Sequence, residues 1–267
     1  MANILFLGTC SGTEPIEGMH HSSMVIEING LYYWFDAGEN CSRTASEMGV
    51  NLLKVKSIFI SHTHMDHVGG LGNLLWNIRK LTRLGKGLPP ENKIPVFIPN
   101  MDSWNGIMSV LKNSEGNFVC DFEVVAEQPS DAMIYEDENI KVYGVHNGHL
   151  PVTAYGEYLS YSYIIEAEGK KIVYSGDLGS LSDLEEIVKD GCDILICETG
   201  HHKVDDVCCF SERKQIPILL FTHNGREIIN DRQNAEKRLL ESHCQAHICY
   251  DRMIFDISKN CIAESRE

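Results

Sequence analysis

No Cys-x-x-Cys pair occurs among the ten cysteines, so the spacing of a thiolate zinc knuckle is missing. No block of lysine and arginine marks a nucleic-acid arm or a patch for anionic membranes. No apolar stretch approaches the roughly 20 residues of a membrane span. The opening Met-Ala-Asn-Ile-Leu-Phe-Leu-Gly has no cationic leader, and its apolar run is too short for a signal peptide. These absences point to a cytoplasmic chain whose cysteines are reduced and mostly serve as small buried side chains. Basic residues are scarce as well. Against 38 Asp and Glu stand 23 Lys and Arg, a formal net charge of −15. Such a surface repels phosphate backbones at long range, which disfavours extended nucleic-acid binding.

What is present suits a globular α/β protein. The 267 residues are 43% hydrophobic, ample for a sizeable core. Strands are expected at 4–7, 24–28, 31–35, 57–60, 94–98, 118–125, 140–145, 161–166, 171–174, 193–197 and 216–221. Asn29-Gly30 and Glu168-Gly169 between apolar runs read as hairpin turns. Helices are expected at 42–48, 104–111, 181–189, 230–243 and, from the spacing Leu71, Leu74, Leu75, Ile78, Leu81, at 71–81. No repeat or linker divides the chain. Strand pairs and strand–loop–helix units in both halves suit two packed sheets with helices outside, read as one domain over 1–267.

The chemistry concentrates after the apolar run Ile58-Phe59-Ile60-Ser61. There follow His62, His64, Asp66 and His67, four ligand-type side chains in six residues, and then Gly69-Gly70 and the predicted helix. Residues two apart in extended backbone face the same side, so His62 and His64 can share one metal. Once the chain turns, Asp66 and His67 can reach a second. Imidazole and carboxylate suit Zn²⁺ and, less selectively, iron or manganese. Asp36, closing the first hairpin, can accept the outer N–H of a ligating imidazole and fix its tautomer.

His62-x-His64-x-Asp66-His67 resembles the signature of the metallo-β-lactamase superfamily. Phe6-Leu7-Gly8-Thr9-x-Ser11-Gly12-Thr13, Phe35-Asp36-Ala37-Gly38 and Gly69-Gly70-Leu71 resemble its ribonuclease Z-like branch, and the similarity spans nearly the whole chain. The resemblance implies a four-layer αββα sandwich and a dinuclear zinc site. His62, His64 and His149 take one metal; Asp66, His67 and His223 take the other; Asp177 bridges. His146 competes with His149 for its place. Two such cations activate a shared water and hold a substrate oxygen. The resemblance also implies a proton donor for the leaving group, for which His202, or His201, with Glu198 is the candidate; Asp66 completes the catalytic set.

The implied activity is phosphodiester hydrolysis. The stretch from His149 to Asp177 leaves no room for a long Gly/Pro-rich arm to grip transfer RNA, and the acidic surface agrees. A small phosphodiester such as a cyclic nucleotide is the expected substrate, with the loops Glu14–His21 and Arg83–Lys93 bordering its pocket. No membrane is expected as partner, and a homodimer is allowed. A thioester or other ester hydrolase, or a metal-bound sensor with little turnover, are the alternatives.

Overall fold

A computed structural model describes residues 2–242 and 244–263. The chain forms two compact units. The first is built on Glu17–Gln128 with the strands near both chain ends, the second on Pro129–Tyr250 with the loop Thr9–Ile16.

The first unit holds β1 (Ala2–Gly8), β2 (Ser23–Ile28), β3 (Leu31–Phe35), β4 (Val55–Phe59), β5 (Lys93–Phe97) and β6 (Glu123–Glu127), joined by β14 (Ile254–Asp256) and β15 (Cys261–Ile262). Its sheet runs β15-β14-β1-β2-β3-β4-β5-β6. Strands β1 to β3 pair antiparallel, β2 and β3 through the predicted Asn29-Gly30 turn, where both residues have positive φ (53° and 77°), as a two-residue hairpin of this kind requires. Strands β3 to β6 are parallel. Every residue of β4 is buried, as expected of a parallel strand covered on both faces. One face carries Leu5, Val25, Trp34, Ile58 and Val96 against Leu71, Leu74, Leu75 and Ile78 of helix α3 (Leu71–Arg83). On the other, Phe35, Phe59 and Phe97 stack at ring-centroid distances of 4.8 and 5.1 Å. Before α3 come α1 (Cys41–Glu47) and the one-turn α2 (Met65–Val68). After it comes α4 (Met101–Lys112), capped by Asn100, whose side chain accepts from Ser103 N at 2.9 Å.

The second unit holds β7 (Met133–Glu136), β8 (Ile140–His146), β9 (Tyr161–Ala167), β10 (Lys170–Tyr174), β11 (Ile194–Glu198), β12 (Ile218–Thr222) and β13 (Gln245–Ile248) in the order β13-β12-β11-β10-β9-β8-β7. Strands β10 to β13 are parallel. Val173, Leu195, Leu219 and Phe221 pack against Val204, Val207 and Phe210 of α5 (Val204–Arg213). The chain then forms α6 (Arg226–Asn230) and α7 (Arg232–Leu239).

Several expectations change. The strand expected over 118–125 lies instead at Glu123–Glu127, its start delayed by the turn that ends at Phe118, where Asn117 and Phe118 sit at φ 48° and 52°. The helix over 181–189 is one 3₁₀ turn, Leu181–Leu184, followed by turns. The helix over 230–243 is two helices broken at Asp231, whose side chain caps α7 through Asn234 N at 3.1 Å; His243 lies outside the described residues. The loop Arg83–Lys93 does not border the motif. Glu91 pairs with Lys56 near the start of β4, and Gly87 approaches Leu53. A helix linking two parallel strands returns the chain to the strand starts, the end away from His62. Among the described residues no helix is long and apolar enough to cross a membrane.

Candidate metal centre

The first group of ligand-type side chains stands where β4 ends. Ile60 N still bonds to Phe97 O at 2.8 Å, so the strand's exit is fixed. Beyond it the chain turns into α2, and His67 N reaches back to His64 O at 3.0 Å. The His62 ring lies edge-on to His64 at 4.6 Å and 4.1 Å from the His67 ring, between centroids. Asp66 Oδ2 is 3.3 Å from His67 Nε2. His62, Asp66 and His67 are buried, and His64 is exposed.

Asp36 organises this group. Fully buried, it accepts from Ser61 N at 2.6 Å on Oδ1, and from Ser61 Oγ at 2.7 Å and His67 Nδ1 at 2.8 Å on Oδ2. A proton held on Nδ1 leaves the Nε2 lone pair of His67, beside Asp66, for a cation. The backbone around Asp36 is fastened to the motif by Ala37 N to His67 O and Gly70 N to Ala37 O, both 2.7 Å. Glycine is required where the segments meet. A Cβ at Gly70 would stand 2.1 Å from Gly38 O, and one at Gly38 would stand 2.6 Å from Asp66 O. That contact explains the glycines of both sequence motifs. His21 comes to the same corner, with its carbonyl against Gly38 and Nδ1 3.9 Å from Glu39.

In the second unit the residues follow the carboxyl ends of parallel strands, where α/β sheets present their functional groups. Asp177 follows β10, Glu198 ends β11 and His223 follows β12. His149 comes from the loop after β8. The two oxygens of Asp177 face different imidazoles: Oδ2 is 3.7 Å from His149 Nε2, and Oδ1 is 3.4 Å from His223 Nε2. A carboxylate so placed can serve two cations at once. His223 has φ 48°, a left-handed conformation that costs a non-glycine residue roughly 1–3 kcal/mol. Its neighbour holds it there: Asn224 N donates to Thr9 O at 2.6 Å, and Ser11 N to Asn224 O at 3.2 Å. A Cβ at Gly200 would strike His223 Nδ1 at 2.5 Å. His146 is elsewhere, bonded through Nδ1 to Asp131 Oδ2 at 2.6 Å and stacked on Tyr158.

Glu198 is buried beside His223 and Asp177. Its Oε1 is 3.0 Å from His201 Nδ1, its Oε2 accepts from His201 N at 2.8 Å, and His223 Nδ1 lies 3.8 Å away. Burial pushes its carboxyl up, but the bond to His201 and the proximity of His223 outweigh that and hold it at about 2. The bond to Glu198 in turn raises the pKa of His201. His201 Nδ1 is also 3.8 Å from Asp177 Oδ2. His202 is more remote, with Nε2 3.6 Å from Glu198 Oε1. Of the two histidines, His201 makes the hydrogen bond.

The donor sets fit divalent cations. Every ligand-type atom is oxygen or nitrogen, the choice suited to zinc, iron or manganese. Buried carboxylates such as Asp66 and Asp177 are costly without positive charge nearby. Sequence reasoning did not find Asn147 and Asp183, which hold the His149 and Asp177 loops; the Asn147-Gly148 pair beside His149 was the available signal.

Known proteins agree with the fold. A ribonuclease Z from Methanocaldococcus jannaschii is 23% identical, over 82% of this chain and 84% of its own length. Human tRNase Z, short form, superposes with a TM-score of 0.71 at 18% identity, covering 96% of this chain and 99% of that one. The metallo-β-lactamase fold protein YhfI from Bacillus subtilis gives 0.72 at 18% identity, covering 95% and 98%. The fold is therefore that of the metallo-β-lactamase superfamily, in its ribonuclease Z-like branch. The model of one family, described as anti-Pycsar protein Apyc1, matches residues 2–246. Matched over nearly its whole length, this chain belongs to the anti-Pycsar protein Apyc1 family.

Proposed function

We propose that this chain is a dinuclear metal-dependent phosphodiesterase acting on a small phosphodiester, with a cyclic nucleotide as the preferred kind. In this reading His62, His64 and His149 hold one ion, and Asp66, His67 and His223 hold the other. Asp177 bridges them. Zinc is the first choice, with manganese or iron as substitutes. The observation that carries the reading is Asp177, whose two oxygens face His149 and His223 separately. When bound, a pair of such cations supplies a nucleophilic water at neutral pH and Lewis acidity toward a phosphoryl oxygen.

The chain's own residues do the rest. Asp36 holds His67 in one tautomer and one orientation. Glu198 fixes His201, which lies close enough to Asp177 to protonate the leaving oxygen as the phosphorus–oxygen bond breaks. His202 is the second candidate for that proton. A small substrate is supported by the charge of −15 and by how the chain between His149 and Asp177 is used. That stretch contains one short loop and the tight β9–β10 hairpin, so transfer RNA is not the substrate we propose.

The test is turnover of bis(p-nitrophenyl) phosphate and of 3′,5′-cyclic nucleotides by zinc- or manganese-loaded protein. We expect turnover that disappears in Asp177→Ala with folding intact. A loaded, folded wild-type protein that cleaves no phosphodiester, but hydrolyses a thioester or only binds a ligand, rules the reading out.

A further inference from the structure

Two loops deliver His149 and Asp177, and other side chains fasten both of them. Asp183 does much of that work. Its Oδ2 accepts from Gly148 N at 3.0 Å, Gly179 N at 3.0 Å and Ser180 N at 3.2 Å. One carboxylate oxygen thus binds the residue before His149 and the second and third residues after Asp177. The loops touch directly, since a Cβ at Gly179 would stand 2.4 Å from Gly148 O. Buried Asn147 fastens the same pair from the other side. Its Oδ1 accepts from His149 N at 3.2 Å, and its Nδ2 donates to Ser162 Oγ at 3.1 Å and Ser175 O at 3.4 Å.

We propose that Asp183 is a positioning residue that clamps the His149 loop to the Asp177 loop and thereby sets the spacing of these two ligands. The proposal rests on the ligand reading above. A plain capping role accounts for the Ser180 bond, because Asp183 is the third residue of the 3₁₀ turn that Ser180 caps. It does not account for Gly148, which comes from a loop 35 residues away in sequence. Three backbone donors on one charged acceptor make strong bonds, so the link between the loops is stiff. Metal ligands depend on such outer contacts, whose loss typically lowers metal affinity about 10–100-fold.

The experiment titrates metal-free protein with Zn²⁺ against a chromophoric chelator, and with Co²⁺ followed by visible absorption. Wild type, H149A, D183A and D183N are compared, with thermal melts alongside. D183A is expected to weaken one of two ions about 10–100-fold and to change its Co²⁺ spectrum, as H149A does. The second ion should stay near wild-type affinity. D183N, which keeps one acceptor oxygen, is expected to fall between, and it carries the test should D183A not fold. Folded D183N and D183A proteins that melt earlier yet bind both ions like wild type would overturn the clamp while leaving the ligand reading intact. An H149A protein that binds both ions like wild type would remove the ligand reading and the clamp with it.

Discussion

Replacing Asp36 with asparagine isolates one proton. The residue has φ 54°, a left-handed conformation that aspartate and asparagine both tolerate, so the backbone is not strained by the change. Size and shape are also kept. What changes is the acceptor inventory. The carboxylate accepts three hydrogen bonds, from Ser61 N, Ser61 Oγ and His67 Nδ1. An asparagine that keeps its oxygen on Ser61 N turns its NH₂ toward His67 Nδ1. Two donors would then face each other in a fully buried site, which costs about 1–3 kcal/mol. His67 escapes by moving its proton to Nε2, and the nitrogen assigned to the metal is then blocked. The expected outcome is a 10- to 100-fold loss of affinity for one ion, roughly 1.4–2.8 kcal/mol. Chelator competition measures the affinity. Imidazole ¹⁵N chemical shifts in the metal-free protein report the tautomer. Unchanged metal affinity, or a proton that stays on Nδ1 of His67 in D36N, would refute the reasoning. Ser61→Ala is the control for the tautomer: it takes Ser61 Oγ away from Asp36 and from His62 Nδ1, 3.1 Å away, but leaves the carboxylate facing His67, so the His67 proton should stay on Nδ1.

Other outcomes follow from the same packing. Gly70→Ala places a methyl 2.1 Å from Gly38 O, so the motif must shift; thermal denaturation should show a loss of about 1–3 kcal/mol or more, with reduced metal content by elemental analysis. Leu75→Ala empties a fully buried site between α3 and the first sheet and should cost about 2–5 kcal/mol by denaturant unfolding, with no effect on metal stoichiometry. In metal-free protein, Glu198 has its carboxyl held at about 2 against an ordinary 4.5. Because the folded value is the lower one, its contribution is complete above 4.5 and is lost as the pH falls toward 2; urea titrations over that window should show a shallower loss of stability in E198Q, by an amount on the order of 3 kcal/mol. Iodoacetamide should label the exposed Cys209 and Cys261 in the folded chain; burial raises the Cys41 thiol to about 12 and closes access, so peptide mapping that finds Cys41 alkylated before unfolding would contradict the packing.

Much of the fold was legible because its strands are local statements. Asn29-Gly30 and Glu168-Gly169 each demand a left-handed pair, and both occur where two apolar runs meet. Helix α3 was readable from Leu71, Leu74, Leu75, Ile78 and Leu81, of which the first four are buried and Leu81 partly so. The elements that were missed depend on neighbours. The edge strands Met133–Glu136 and Gln245–Ile248 are short and partly exposed, so no apolar alternation marks them. Helix α5 did carry its signal, Val204, Val207 and Phe210, but paired cysteines and β-branched residues blurred it. The stretch after Ser180 has helical spacing in Leu184, Ile187 and Val188. Its first turn is instead committed to holding loops, because the Asp183 side chain is engaged with Gly148 and Gly179.

The candidate site divides along the same line. His62, His64, Asp66 and His67 are contiguous, and a strand followed by one helical turn is enough to bring them together. Local chemistry alone reaches that far. His149, Asp177 and His223 are separated by hairpins and crossovers, and single-sequence reasoning could name them only through a family pattern. Asp177 and His223 come together because the parallel strands β10, β11 and β12 run side by side, Tyr174 beside Ile196 and Glu198 beside Thr222, so the residues that follow emerge at one edge; His149 comes from the loop after β8, which Asp183 and Asn147 fasten. Register is also what ranks the histidine pair. Both His201 and His202 follow β11, and nothing in Glu198-Thr199-Gly200-His201-His202 distinguishes them. Gly200 lets the chain pass within van der Waals reach of the His223 ring, and the next side chain is the one that meets Glu198 and Asp177. A residue larger than glycine at position 200 should therefore disturb His223 and His201 together, which ties a proposed metal ligand and the proposed proton donor to one backbone contact.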